Sequence, residues 1–249
     1  MLRKLLKLAG YLALMMFFII TLAFTSHESK NVPCRSVEIE FGNDELIKLS
    51  KADISRMVKT ADSEITKKKL DEINSEVIEK EVEKNPAVLK AEVYKVVAKD
   101  TTSYKGILTV RVKHRRPVVR IMSESGSYYL DKFGNKIPIS TSYTANVLVA
   151  TGYFTEKYAK KQLLPFILFV ENDEFWKAQI EQVQIEKNGD VILTPLVGDQ
   201  IIELGKLTDF REKLRNMKAF YSQVLANNNW NKYDRISLKF KNQVVAKRR

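Results

Sequence analysis

The chain has 249 residues, a formal net charge of +12 and one cysteine, Cys34. No intrachain disulfide can form, and two histidines, His27 and His114, together with that cysteine cannot assemble a zinc site or a Cys-His pair. The excess charge lies in single lysines and short runs such as Lys67 to Lys69, with no stripe that interleaves basic residues and stacking aromatics, so a solvated basic surface is preferred to a nucleic-acid interface.

In chain order, the first feature is an uncharged run of nineteen residues from Leu8 to Ser26, preceded by Arg3, Lys4 and Lys7. As a helix it would span roughly 28 Å, close to a bilayer's hydrocarbon core. The three basic residues orient such a helix with its N-terminus in the cytoplasm. A cleavable signal peptide is the competing reading, but the run exceeds a signal core in length, and Ala23-Phe24-Thr25 matches a cleavage pattern poorly. The expected layout is a cytoplasmic tail over 1–7, a transmembrane helix over 8–26 and a linker over 27–36. The rest of the chain then works outside the cytoplasmic membrane.

Strand alternation begins at Val37, Ile39 and Phe41. Ser50 reads as the N-cap of a helix with Ile54, Met57, Val58 and Ala61 on its apolar face. A second, longer helix is expected to carry Leu70, Ile73, Val77, Ile78 and Val82 inward and to end at Asn85-Pro86. Strands over Val88 to Val97 and Ile107 to Lys113 follow, separated by a loop that contains Gly106. This order of strand, two helices and two strands makes a small α+β domain.

From Arg116-Pro117 short strands dominate. Val118 to Met122 and Tyr128 to Leu130 flank a Ser-Gly turn, and Asp131 to Asn135 forms a second turn. Tyr158 to Val170 is expected to be a buried helix interrupted at Pro165. Asn188-Gly189 between Val183 to Glu186 and Val191 to Thr194 is a strong hairpin signal. Phe210, Leu214, Met217, Phe220, Tyr221, Val224 and Leu225 line one face of a long helix. A single closing strand is expected from Arg235 to Ala246.

No nucleophile elbow, Ser-x-x-Lys motif or phosphate-binding glycine loop occurs. The acidic residues Glu76, Glu79, Glu81 and Glu83 sit among lysines on a helix, where surface pairing explains them, and Asp131 suits a turn. These patterns argue against an enzyme and require no metal or cofactor. Strand addition to an open sheet edge is one reading of a chain that closes on a strand; the other is that this strand lies inside its sheet or is capped by its own basic tail.

Four motifs occur in a telling order. They are Asn85-Pro86-Ala87-Val88 with Ala91-Glu92-Val93, then Leu108 to Val112 leading into Arg115-Arg116-Pro117-Val118, then Tyr129 to Gly134, then Ile236 to Val245. Together they resemble the bacterial cell-division family FtsQ/DivIB. The chain departs from the family in its basic residues and His114 before the Arg-x-Pro junction, and in lacking a tryptophan after the last strand.

The resemblance implies an α+β protein with a single transmembrane helix, a POTRA domain of βααββ order over 37–115, and a β-rich domain over 116–249. That last domain would hold a mixed or antiparallel sheet with flanking helices. The resemblance also implies a non-enzymatic scaffold in the cytoplasmic membrane at the division site, linking early and late division proteins. Its closing strand would pair with an FtsB-like protein bound to an FtsL-like one, so regulating septal wall synthesis. Ile236, Leu238, Lys239, Phe240, Asn242, Gln243 and Val244 would make that contact, Phe240 and Asn242 on one face and Lys239 and Lys241 on the other. The alternative is a membrane-anchored envelope enzyme or polysaccharide-binding protein.

Overall fold

The computed structural model describes residues 9–21, 32–43, 45–99, 104–225 and 232–249. Two compact units emerge, the first ending at His114, the second combining Glu45–Lys48 with Arg115–Arg249. Residues 9–21 are helical, with Leu12, Met15, Phe17 and Ile20 exposed. Among the described residues no helix is long and apolar enough to cross a membrane. Arg3, Lys4, Lys7 and the rest of the uncharged run lie outside the described residues.

The first unit is a three-stranded sheet ordered β1-β3-β2, built from β1 (Cys34–Phe41), β2 (Val88–Lys99) and β3 (Tyr104–His114). β1 runs parallel to β3, and β2 runs antiparallel to it. Two helices, α1 (Lys51–Ala61) and α2 (Ser75–Glu83), lie between β1 and β2 in sequence. Ser50 caps α1 as expected, its Oγ accepting the Asp53 N–H at 3.1 Å. Ile54 and Val58 of α1 and Ile78 and Val82 of α2 are buried. β1 starts three residues ahead of the expected Val37, because Cys34 is itself a core residue with no exposure. Gly106 lies within β3 instead of a loop. A Cβ there would fall 2.7 Å from the Pro33 carbonyl oxygen and 2.8 Å from Leu70, so only glycine lets these segments close.

The second helix differs from the expectation. Leu70 sits in a separate 3₁₀ turn (Leu70–Glu72), and Asn74 then caps a shorter α2 through a bond from the Val77 N–H. The new start sets the helical phase, so Ile78 is 1% exposed while Val77 points to solvent at 48%.

His114 ends β3 in the core. Its Nε2 accepts the Leu49 N–H at 3.1 Å, and its ring lies 5.3 Å from that of Phe41. The imidazole therefore works as a buried hydrogen-bond acceptor for a loop that would otherwise leave a backbone donor unpaired.

The second unit is a nine-stranded mixed sheet ordered β12-β11-β10-β9-β8-β7-β4-β5-β6. Its strands are β4 (Pro117–Ser123), β5 (Gly126–Asp131), β6 (Lys136–Pro138), β7 (Leu148–Gly152), β8 (Ile180–Ile185), β9 (Val191–Pro195), β10 (Ile201–Gly205), β11 (Tyr233–Ser237) and β12 (Val245–Arg248). The expected hairpins β4–β5 and β8–β9 are both present. The parallel contacts β4–β7, β7–β8 and β10–β11 join segments far apart in sequence.

The sheet's core face packs on a run of helix from α3 (Glu156–Tyr158) through a π-helical turn (Ala159–Leu163) into α4 (Leu164–Asn172), then on α5 (Glu174–Gln179) and α6 (Phe210–Phe220). Pro165 does not interrupt this helix. It sits in the first turn of α4 just after the π-helical turn, where the irregular hydrogen bonding absorbs its missing N–H. Leu164, Phe166, Ile167 and Val170 of α4 are buried, each contributing about 1.5–3 kcal/mol of hydrophobic transfer. Asp131 fills the turn role expected of it. One carboxylate oxygen accepts the N–H groups of Phe133 and Asn135 at 2.9 and 2.8 Å, and the other pairs with Arg115 at 3.2 Å.

Candidate partner-binding edge

The closing segment is a hairpin, not one strand. β11 ends at Ser237 and β12 begins at Val245, and the two pair antiparallel from Tyr233↔Arg248 to Ser237↔Val245. The turn between them contains Asn242 at φ 58°, a left-handed conformation that asparagine tolerates better than branched residues. The Gln243 N–H donates to the Phe240 carbonyl at 3.3 Å and closes the loop. The alternation expected across 239–242 is therefore absent, because a turn has no opposed faces.

The fold separates the seven predicted contact residues. Ile236 and Leu238 are buried in the sheet's core. Val244 is half-buried and packs on the same core. Phe240 is 57% exposed at the hairpin tip, beside exposed Asn242 and Gln243. Lys239 is fixed by acids, its Nζ 3.1 Å from Asp190 and 4.0 Å from Glu203. Hydrogen bonding to Lys239 holds the Asp190 carboxyl below its usual value, and the same bond raises the lysine. Arg235 also pairs with Glu203, and Arg249 pairs with Asp199 at 3.2 Å. These ion pairs tie the hairpin to β10 and to the turns on either side of β9.

A cavity of about 220 Å³ opens between the tip and the start of α6, lined by Asp209, Glu212, Lys213, Phe240 and Asn242 among others. Lys213 contributes its stem, while its ammonium donates to the Leu204 and Lys206 carbonyls at 3.0 and 2.8 Å. Burial pushes this lysine below its usual value. Two of its three donors are spent on backbone, which makes it a clamp for the end of β10. Among the described residues no group of three or more His, Cys, Asp and Glu side chains could hold a metal.

What does stand open is β12, whose only neighbour in the sheet among the described residues is β11. Val245, Lys247 and Arg248 are exposed along it. The opposite edge, β6, has three residues and contains Pro138, so it offers little to a pairing chain. The single strand expected over Arg235 to Ala246 is divided between β11, the turn and β12, so the margin of the sheet falls on β12. The signal that could have found β12 is Lys241-Asn242, a turn pair that splits the apolar alternation before Val244.

Comparison with known families gives a match in each unit. Residues 116–247, over half of the chain, match the family described as FtsQ/DivIB, C-terminal related. Residues 32–101 match the POTRA-like domain. Among curated proteins none matches the chain.

Proposed function

The chain belongs to the FtsQ/DivIB family, and on that premise we propose that it is a non-enzymatic scaffold of the bacterial division machinery. It is held in the cytoplasmic membrane by the apolar run at 8–26, its N-terminus kept inside by Arg3, Lys4 and Lys7. Its folded units then act on the far side of that membrane. The second unit binds an FtsB–FtsL-like pair by accepting an extended segment of the FtsB-like chain along β12.

The observation that carries this reading is the open β12 edge at one end of a sheet whose other end is blunted. Main-chain hydrogen bonds from an added strand supply affinity, and the flanking side chains supply choice of partner. Phe240 at the tip is the exposed aromatic best placed to anchor that partner, and Val245 adds apolar surface beside it. The exposed basic residues Lys247 and Arg248 favour an acidic segment.

Depletion of the protein in its own cells tests the division role. Long undivided filaments are expected, and a chain truncated after Gln243 should fail to restore septation although its membrane anchor is retained. Normal division on depletion would refute the role.

A further inference from the structure

The first unit begins a few residues after the proposed membrane anchor ends. Val32 is already part of the fold: it is buried, and its carbonyl accepts the Leu70 N–H at 3.0 Å. From Ser26 to Val32 is six residues, at most about 22 Å of fully extended chain. Strand pairing decides what surrounds Val32. The Pro33 carbonyl accepts the Gly106 N–H at 3.1 Å, and the Lys68 carbonyl accepts the Cys34 N–H at 2.9 Å. Gly106 pairs in turn with Cys34 on one side and Val97 on the other. The start of β1, the end of β2, the start of β3 and the segment 67–69 therefore share one end of the unit.

That end is basic. Arg35, Lys67, Lys69, Lys95, Lys99 and Lys105 are exposed there, with exposed Tyr104 among them. Lys67 and Lys68 have acidic partners, Glu64 at 2.9 Å and Asp62 at 2.7 Å. Among the described residues no carboxylate pairs with Arg35, Lys95 or Lys99. Toward the other end of the same sheet, Arg111 meets Glu40 at 2.9 Å, and Lys90 meets Glu92 and Lys84 meets Glu81, both at 2.6 Å. There too Glu83 and Glu79 of α2 accept the Ala91 and Val93 N–H groups at 3.0 and 2.7 Å, which seals that stretch of the β2 margin.

On the premise of the anchor at 8–26, we propose that this basic end of the first unit rests on the anionic lipid headgroups of the membrane that holds the anchor. Arg35, Lys95 and Lys99 bring charge that no described carboxylate neutralises, and Tyr104 brings an aromatic ring of the kind that lies at headgroup level. Attraction between a charged bilayer and surface lysines fades beyond a Debye length, ~8 Å at physiological ionic strength, so proximity decides whether it acts. The short tether supplies that proximity, which favours the bilayer over a soluble acidic polypeptide of the same chemistry. This surface belongs to the first unit and does not depend on β12.

The test places the whole chain in vesicles of phosphatidylethanolamine and phosphatidylglycerol, with phosphatidylcholine vesicles beside them. A fluorophore is attached at Thr66→Cys beside Lys67 or, at the far end of the sheet, at Lys113→Cys; Cys34 is buried and does not compete for the label. A nitroxide on the lipid headgroup reports proximity by quenching. In the anionic vesicles quenching at position 66 is expected to be at least threefold that at 113. It should fall at least threefold in phosphatidylcholine, in high salt, and in a chain carrying Arg35→Glu, Lys95→Glu and Lys99→Glu. Equal quenching at the two positions, or quenching at 66 that ignores lipid charge, salt and the three reversals, would overturn the proposal. So would soluble polyglutamate binding the chain while anionic vesicles leave position 66 unquenched, which makes an acidic polypeptide the occupant. If the reversed chain does not fold, the lipid and salt comparisons decide. A chain that leaves the vesicles on alkaline washing refutes the anchor and this contact with it, whereas one that stays with position 66 unquenched refutes the contact alone.

Discussion

The two sheets treat their margins in opposite ways. In the three-stranded sheet a helix runs beside the edge strand, and two of its carboxylates take up backbone donors that would otherwise invite a partner. In the nine-stranded sheet the helices pack on a face and leave the margins to the strands themselves. One margin is cut short by Pro138, and the other ends in an exposed hairpin. Edge exposure in this chain is thus set locally, by whether a side chain or a proline reaches the outward amides. Strand count does not decide it.

The comparison breaks most severely where the covering helix is lost. Ile78→Asp would bury a carboxylate on the core face of α2 and should cost roughly 3 kcal/mol or more, read as a lower denaturation midpoint for the first unit. A smaller effect comes from removing the seal alone. Glu79→Ala with Glu83→Ala frees two edge amides to water and should cost about 1–2 kcal/mol in the same measurement, with faster exchange at Ala91 and Val93.

In the second unit the hairpin is pinned by acids, which makes it sensitive to pH. The Asp190 carboxyl is lowered by Lys239, so its stabilisation is complete above the ordinary carboxylate value and fades as pH falls through the lowered one. Asp190→Asn should cost ~0.5 kcal/mol near neutrality and nothing once the native carboxyl is protonated. Denaturation midpoints of the two chains should therefore converge in acid. The smallest effect is expected from Val77→Asp, within about 0.5 kcal/mol of the parent, because the side chain already faces water. Its contrast with Ile78→Asp tests the helical phase.

Local chemistry was legible in the residues. Ser50, Asn188-Gly189 and the Asp131 turn each carry their geometry in a short side chain or a glycine, and all three fold as expected. Longer stretches misled for one reason: periodicity does not state where an element begins. Val77 looked apolar and in phase until Asn74 supplied a later start for the helix. The closing segment alternated convincingly until Asn242 turned the chain, which moved the open edge from β11 to β12. The parallel pairing of β10 with β11 across α6 depends on contacts between distant segments, and no local pattern reports it. The carboxylate seal on β2 was hidden for the same reason, since Glu79 and Glu83 read as ordinary surface acids on a helix.

The most direct test of the scaffold reading is amide exchange on the full-length chain with and without its FtsB–FtsL-like pair. The account predicts that Val245 to Arg248 become strongly protected on binding, with Phe240 at the border of the protected stretch. It also predicts that β6 at the opposite margin of the same sheet does not change. Binding of the pair with β12 still exchanging freely would contradict it.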